Sequence, residues 1–262
     1  MIRALRTAAT GMFAQQLSVD TIANNLANVN TTGFKKAKIE FQDLLYENQR
    51  AIGAVNAQGV TIPTEIQIGH GSTPVSVQKM FNQGDINNTG NPLDMAIDGD
   101  GFFQVVRNDG TLAYTRDGTF KVSADGRVVT SDGLILDPEV QLPQETQEIN
   151  INLEGVISVK LAGETEPQEI GQIQIARFIN PAGLENLGGN IYVPTAASGE
   201  PLVSNPSIDG AGTIRQGYAE MSNVQVVEEM VAMIIAQRAY EINSKTILTA
   251  EEMLRTATNI RQ

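Results

Sequence analysis

The sequence predicts an α+β fold: a discontinuous α-helical coiled-coil domain made of both termini, an extended linker arm, and a central all-β domain of short antiparallel strands. Three observations predict it. Apolar residues recur every seven positions near each end, the seam pattern of supercoiled helices. Asp-Gly pairs at 98–99, 100–101, 109–110, 117–118, 125–126 and 132–133 punctuate the middle and separate short alternating runs. The stretches between these regimes are small and polar, with neither period. The expected division is 1–30 and 222–262 for the helical domain, 31–71 and 205–221 for the linker, and 72–204 for the β-domain.

The first helix is expected over residues 3–28. Leu5, Met12, Val19 and Leu26 repeat at seven-residue spacing, with Ala8, Ile22 and Val29 on the intervening seam positions. Gly11 weakens it by about 1 kcal/mol relative to Ala. Gln15 falls on the seam, where a polar group fixes register at some cost in stability. The helix should end in Asn28-Val29-Asn30-Thr31-Thr32-Gly33, because Asn and Gly tolerate the left-handed conformation that closes helices. The last helix is expected from Ser222-Asn223 to about residue 259. Its seam is Val226, Met233, Tyr240, Ile247 and Leu254, with Met230 beside it. Glu228 and Glu229 lie near its positive end. Leu17, Val231, Ile235, Ile242 and Met253 lie off both seams, so more helices than these two should pack around them.

Between the helices, Phe41, Leu44 and Leu45 suggest a helical turn, and residues 51–59 are small and flexible in composition. Thr61 to Ile68 alternates like an edge strand marked by Pro63. Residues 41–70 thus read as an extended arm. The Asp-Gly pairs predict hairpins with type I′ turns, which need positive φ at both central residues. Phe102–Val106 and 119–122 are candidate strands, and further strands are expected at 149–153, 156–161, 170–179 and 191–193.

Composition excludes several classes. The chain has 262 residues, long enough for a sizeable core. It has no cysteine, so disulfides, thiolate metal sites and Cys nucleophiles are ruled out. A net charge of −12 argues against a nucleic-acid or anionic-membrane partner. The acidity is uneven: Arg3, Arg6, Lys35, Lys36 and Lys38 outnumber Asp20 and Glu40 in the first forty residues, a basic arm on an acidic body. No apolar run approaches the roughly 20 residues of a membrane span. The N-terminus lacks the apolar core of a secretory signal, so a destination outside the cytoplasm implies export without a cleaved signal peptide.

Chemistry is sparse. His70, the only histidine, sits in a Gly-rich turn with no second His or Cys to build a triad or zinc site. Asp98 and Asp100 are close, but the terminal bidentate Glu of a calcium loop is missing. No catalytic residue, metal or cofactor is expected, and an enzyme is the least supported reading.

Residues 22–35, containing Asn24, Asn25, Asn28, Gly33, Phe34 and Lys35, resemble the N-terminal signature of bacterial flagellar rod and hook proteins. Ser222-Asn223-Val224 and Gln237-Arg238-Ala239-Tyr240-Glu241-Ile242 resemble the matching C-terminal signature. Residues 101–105 and 113–120 resemble the β-domain shared by these proteins. Length and the 41–70 arm resemble the distal-rod branch of this family more than its proximal-rod members, and the additional outer domain of hook proteins is missing. The resemblance implies a helical inner domain lining a channel, a β-domain outside it, and a self-assembling helical polymer acting as a drive shaft. It implies the periplasm-spanning basal body as location. It implies as partners other rod proteins, the hook or its junction base, surrounding ring (bushing) proteins and the flagellar type III export apparatus. Asn24, Asn25, Asn28 and Gly33 are expected to shape the helix exit, and Phe34 to anchor the turn in an apolar pocket. Leu5, Met12, Val19, Ile22, Leu26, Val226, Met230, Met233, Tyr240, Ile247 and Leu254 are the expected assembly interface. Both helical ends are expected to be largely disordered until they assemble. The alternatives are a proximal-rod or hook paralogue and, from another class, a β-rich extracellular binding module with coiled-coil ends.

Overall fold

The computed structural model describes residues 2–50, 65–143, 145–162, 166–208 and 210–259. The chain divides into two compact units. One holds residues 1–26, 37–78 and 225–262; the other holds 27–36 and 79–224.

The first unit contains both helices, α1 (Ile2–Ala27) and α2 (Val226–Asn259). Neither is interrupted by proline, and both carry the predicted seven-residue apolar repeat. Strand Ala37–Asp43 pairs with Ser72–Lys79, and Tyr46–Arg50 pairs antiparallel with Ile66–Gly69. Of the expected edge strand 61–68, residues 61–64 lie outside the described residues, as does the rest of 51–64. The helical turn expected at Phe41–Leu45 is instead a strand through Asp43. Exposure alternates from Ala37 to Glu40, but Phe41, Gln42 and Asp43 are all exposed, so no buried face supports a helical turn there.

The second unit is all β. Strand Phe102–Val106 lies at its centre, hydrogen-bonded to Leu112–Thr115, Ile135–Asp137 and Ile175–Arg177. Successive side chains of a strand point to opposite faces, so neighbours on this one enter different cores. Phe103 enters the larger cluster with Met95, Ile97, Phe120, Leu136, Val159, Ile173, Ile175 and Ile214. Phe102 enters the smaller one with Tyr114, Ala176, Phe178 and Tyr192. The rings meet edge to face, Phe103 on Phe120 at 5.2 Å and Tyr114 on Phe178 at 4.9 Å, the arrangement their quadrupoles favour. A separate three-stranded sheet is formed by Thr146–Ile151, Val156–Leu161 and Gln168–Gln172.

The hairpin turns are not type I′. Gly110, Gly126 and Gly133 have positive φ, but Asp109, Asp125 and Asp132 do not. Each loop closes twice instead. The Gly110 N–H donates to Arg107 O at 2.8 Å while Arg107 N–H donates to Thr111 O at 2.9 Å. Residues 123–127 and 130–134 repeat this pattern. It is a type I turn followed by a left-handed glycine bulge, in which only one residue needs positive φ. The Asp earns its place differently: Asp109 Oδ1 accepts from the N–H and hydroxyl of Thr111, which holds its carboxyl below the usual range.

Candidate assembly interface

α1 and α2 run antiparallel within their unit. Asn25 Nδ2, near the end of α1, donates to Glu229 Oε2, near the start of α2, at 3.1 Å. Gly11 faces Asn243, so close that a Cβ at Gly11 would sit 2.8 Å from Asn243 Nδ2. The buried helical residues are Ala8, Ala14 and Asn25 on α1 and Glu229, Ala236 and Ala250 on α2. Small side chains let two backbones approach, but they remove little apolar area from water. The sequence reading missed this seam. Its signal was present: Glu229, Ala236, Asn243 and Ala250 repeat every seven residues, as do Gly11 and Asn25 at twice that spacing.

None of the eleven expected interface residues is buried. Leu5, Met12, Val19, Ile22, Leu26, Met233, Ile247 and Leu254 are half-buried; Val226, Met230 and Tyr240 are exposed. Val19 and Tyr240 line one open groove with Gln16, Gln237 and Glu241. Of the off-seam residues, Leu17 is half-buried, while Ile235 and Ile242 are 64% and 65% exposed. Val227, at 75%, Phe13, Val231, Ile234, Leu248 and Met253 stand in solvent too. In the C-terminal motif, Arg238 Nη1 and Glu241 Oε2 are 3.4 Å apart on the helix surface, a pair that contributes little. Ala239 is half-buried beside them.

The N-terminal motif shapes the helix exit. The Asn25 side chain accepts from Ala37 N–H at 2.8 Å and donates to Ala37 O at 2.9 Å, imitating a strand neighbour. Asn24 is exposed on α1. Asn28 Oδ1 accepts from the Thr31 hydroxyl at 3.2 Å. The left-handed residue is Gly33, with φ of 67°, rather than an Asn at the helix end. A Cβ on Gly33 would lie 2.6 Å from the Asp117 backbone nitrogen, so nothing larger fits. Phe34 is buried, with the Lys79 ammonium 4.2 Å above its ring.

Lys35 is fully buried, donates to Asn82 O at 2.7 Å and pairs with Glu220 Oε1 at 2.5 Å. Arg116, also buried, lies 3.5 Å from Glu220 Oε2 and donates to Gly99 O at 2.7 Å. Burial pulls the Lys35 ammonium below its usual range; Glu220 opposes the shift and Arg116 adds to it. Arg116 is lowered by burial likewise. Glu220 and Arg116 were not foreseen as partners, although all three residues lie in or beside the family-like stretches.

Ser222 and Asn223 do not begin α2. Its first helical residue is Val226, and Glu229 N–H donates to Gln225 O. Asn223 is occupied elsewhere, accepting from Lys36 N–H at 2.7 Å. Asp98 pairs with Arg215 at 2.7 Å, and His70 lies 3.9 Å from Glu47. Among the described residues, no group of three or more His, Asp or Glu is placed to hold a metal.

The antiparallel helix pair leaves many large apolar side chains exposed, in a chain that also holds a well-buried β core. Comparison with known proteins identifies its kind. Residues 5–35 match the flagella basal body rod protein family, 96–159 the flagellar hook protein FlgE/F/G D1 domain, and 215–260 the flagellar basal body rod FlgEFG protein C-terminal family. The flagellar basal-body rod protein FlgG of Borreliella burgdorferi is 50% identical over 264 residues, spanning all of both chains. The chain belongs to the flagellar basal-body rod protein family. FlgG of Caulobacter vibrioides is 46% identical over 261 residues, 99% of this chain and 100% of that one. FlgG of Bacillus subtilis is 38% identical over 269 residues, all of both. This rod-family chain is therefore a structural subunit of the flagellar basal body, a family that assembles with itself and with other flagellar components.

Proposed function

We propose that the chain polymerises helically into the distal rod, a hollow drive shaft carrying motor torque to the hook and filament. The observation that supports this most is the exposed apolar surface of α1 and α2, from Phe13 and Val227 to Ile242 and Met253. Copies packed side by side would cover it. Contacts in which one face binds a different face of the next copy do not close, and so generate open filaments. The half-buried and exposed residues Leu5, Met12, Val19, Ile22, Leu26, Val226, Met230, Met233, Tyr240, Ile247 and Leu254 are the assembly interface. The alanine seam holds the pair in register but contributes little burial, so both helices are marginal in the monomer and lock on assembly. Circular dichroism of dilute protein tests this; helices already rigid there would contradict it.

The chain works without catalysis or cofactor. It leaves the cytoplasm by the flagellar type III export apparatus without a cleaved signal, spans the periplasm toward the outer envelope, and joins other rod proteins below and the hook or its junction base above. Ring proteins surround it as a bushing. The 41–70 arm lies between neighbouring β units and stiffens the tube. Deleting residues 46–66 should give a bendable filament or block growth, and an unchanged straight rod would defeat that role. For the whole reading, Met233→Asp with Ile247→Asp should abolish rods in cells while the chain is still exported; normal rods would overturn it.

A further inference from the structure

The chain passes between its two units four times, at 26/27, 36/37, 78/79 and 224/225. Within the β unit, the segments beside these passages are tied by side chains. Asn223 Oδ1 accepts from Lys36 N–H at 2.7 Å, and its Nδ2 donates to Met80 O at 2.8 Å and Asn82 O at 3.0 Å. One amide thus holds three segments. Met80 N–H returns a bond to Lys36 O at 2.9 Å. Lys79 Nζ donates to Lys35 O at 3.0 Å, and Lys35 Nζ donates to Asn82 O at 2.7 Å. Glu220 completes the set. Its carboxylate takes Lys35 and Gly84 N–H, and its carbonyl accepts from Gly33 N–H at 2.8 Å.

We propose that Asn223, with the buried Lys35–Glu220 pair, is a clamp that makes these segments share force entering the β unit. A segment held by its own ladder alone peels one bond at a time. Segments cross-tied at a single point must give way together. A buried, hydrogen-bonded ion pair suits this task, because separating it leaves an unpaired charge out of water. Asn suits it because a neutral amide offers an acceptor and two donors at once. The proposal rests on the torque-carrying reading of the chain.

The test uses the full-length chain with Asn223→Ala, and Asn223→Asp as a milder variant that keeps an acceptor for Lys36. In Asn223→Ala, amide hydrogen exchange at Lys36 and Met80 should accelerate about tenfold or more, with Phe102–Val106 amides unchanged. Asn223→Asp should fall between. In cells, rods of the variants should assemble and turn freely at low load, yet fail or slip when a large bead is attached. Unchanged exchange at Lys36 would overturn the clamp. Faster exchange with wild-type rotation under the bead would overturn its role in bearing torque. Exchange is read without assembly, so an unsubstituted chain that forms no rod would sink the rod reading while the exchange result still decides the clamp.

Discussion

In the β unit, Phe103, Leu136, Ile175 and Ile214 are sealed from water, whereas in the helical unit the sealed residues are Ala8, Ala14, Ala236 and Ala250. There Val227, Ile235 and Ile242 stand in solvent. Both units have comparable apolar material in sequence. They differ in whether the chain itself covers its large side chains. In the β unit, strands far apart in the chain supply that cover: Phe103 finds Phe120, and Phe102 finds Phe178. In the helical unit the two helices bury alanines with Asn25 and Glu229, and leave their large apolar side chains half-buried or exposed. One unit buries its large apolar side chains within its own chain, and the other leaves many of them exposed.

The contrast can be broken first at the helices. Ile235→Asp with Ile242→Asp should eliminate filaments outright, since each large apolar side chain is worth about 1.5–3 kcal/mol when buried. Thermal unfolding of the β unit should be unchanged, because both residues belong to the helical unit and are exposed. Calorimetry beside electron microscopy checks both halves. Phe103→Ala should do the reverse, destabilising the β unit by about 3–5 kcal/mol in denaturant titration through the cavity it leaves.

Tyr192 sharpens the comparison through pH. Burial raises its hydroxyl from 10.0 to about 12. The unfolded chain therefore loses that proton before the folded one. Stability is intact below pH 10 and falls as pH rises toward 12, by about 2–3 kcal/mol from this group. Lys35, lowered by burial, acts in the opposite direction, gaining stability as pH approaches 10.5. Tyr192→Phe should flatten the alkaline fall in urea titrations at pH 9 to 12. A smaller effect, about 1–3 kcal/mol, is expected for Gly33→Ala, whose φ and crowding against Asp117 both oppose a methyl group.

Much of this was legible in the residues. The seven-residue repeats placed both helices to within a few positions, and Phe102–Val106 was readable as a strand because alternation and flanking Gly are local signals. Four features were not. The alanine seam hid beside the louder Leu/Met/Val repeat, since periodicity finds every stripe on a helix without saying which is covered. Asp-Gly pairs marked the turns, yet turn type depends on the loop's hydrogen bonds, which the dipeptide does not specify. Lys35, Arg116 and Glu220 are distant in sequence, and no local pattern says that three charges will be buried together. The Asn223 side chain looked like a helix cap for the same reason: its actual partners, Lys36 and Met80, lie more than a hundred residues away.

The proposed rod requires a helical unit left incomplete for other copies to cover. Sedimentation of the purified chain over rising concentration, with electron microscopy of the same samples, tests it most directly. Open filaments of unlimited length should appear above a threshold concentration, with α1 and α2 gaining exchange protection as they do. A compact monomer at every concentration, with both helices fully protected, would contradict it, as would a closed oligomer of fixed size.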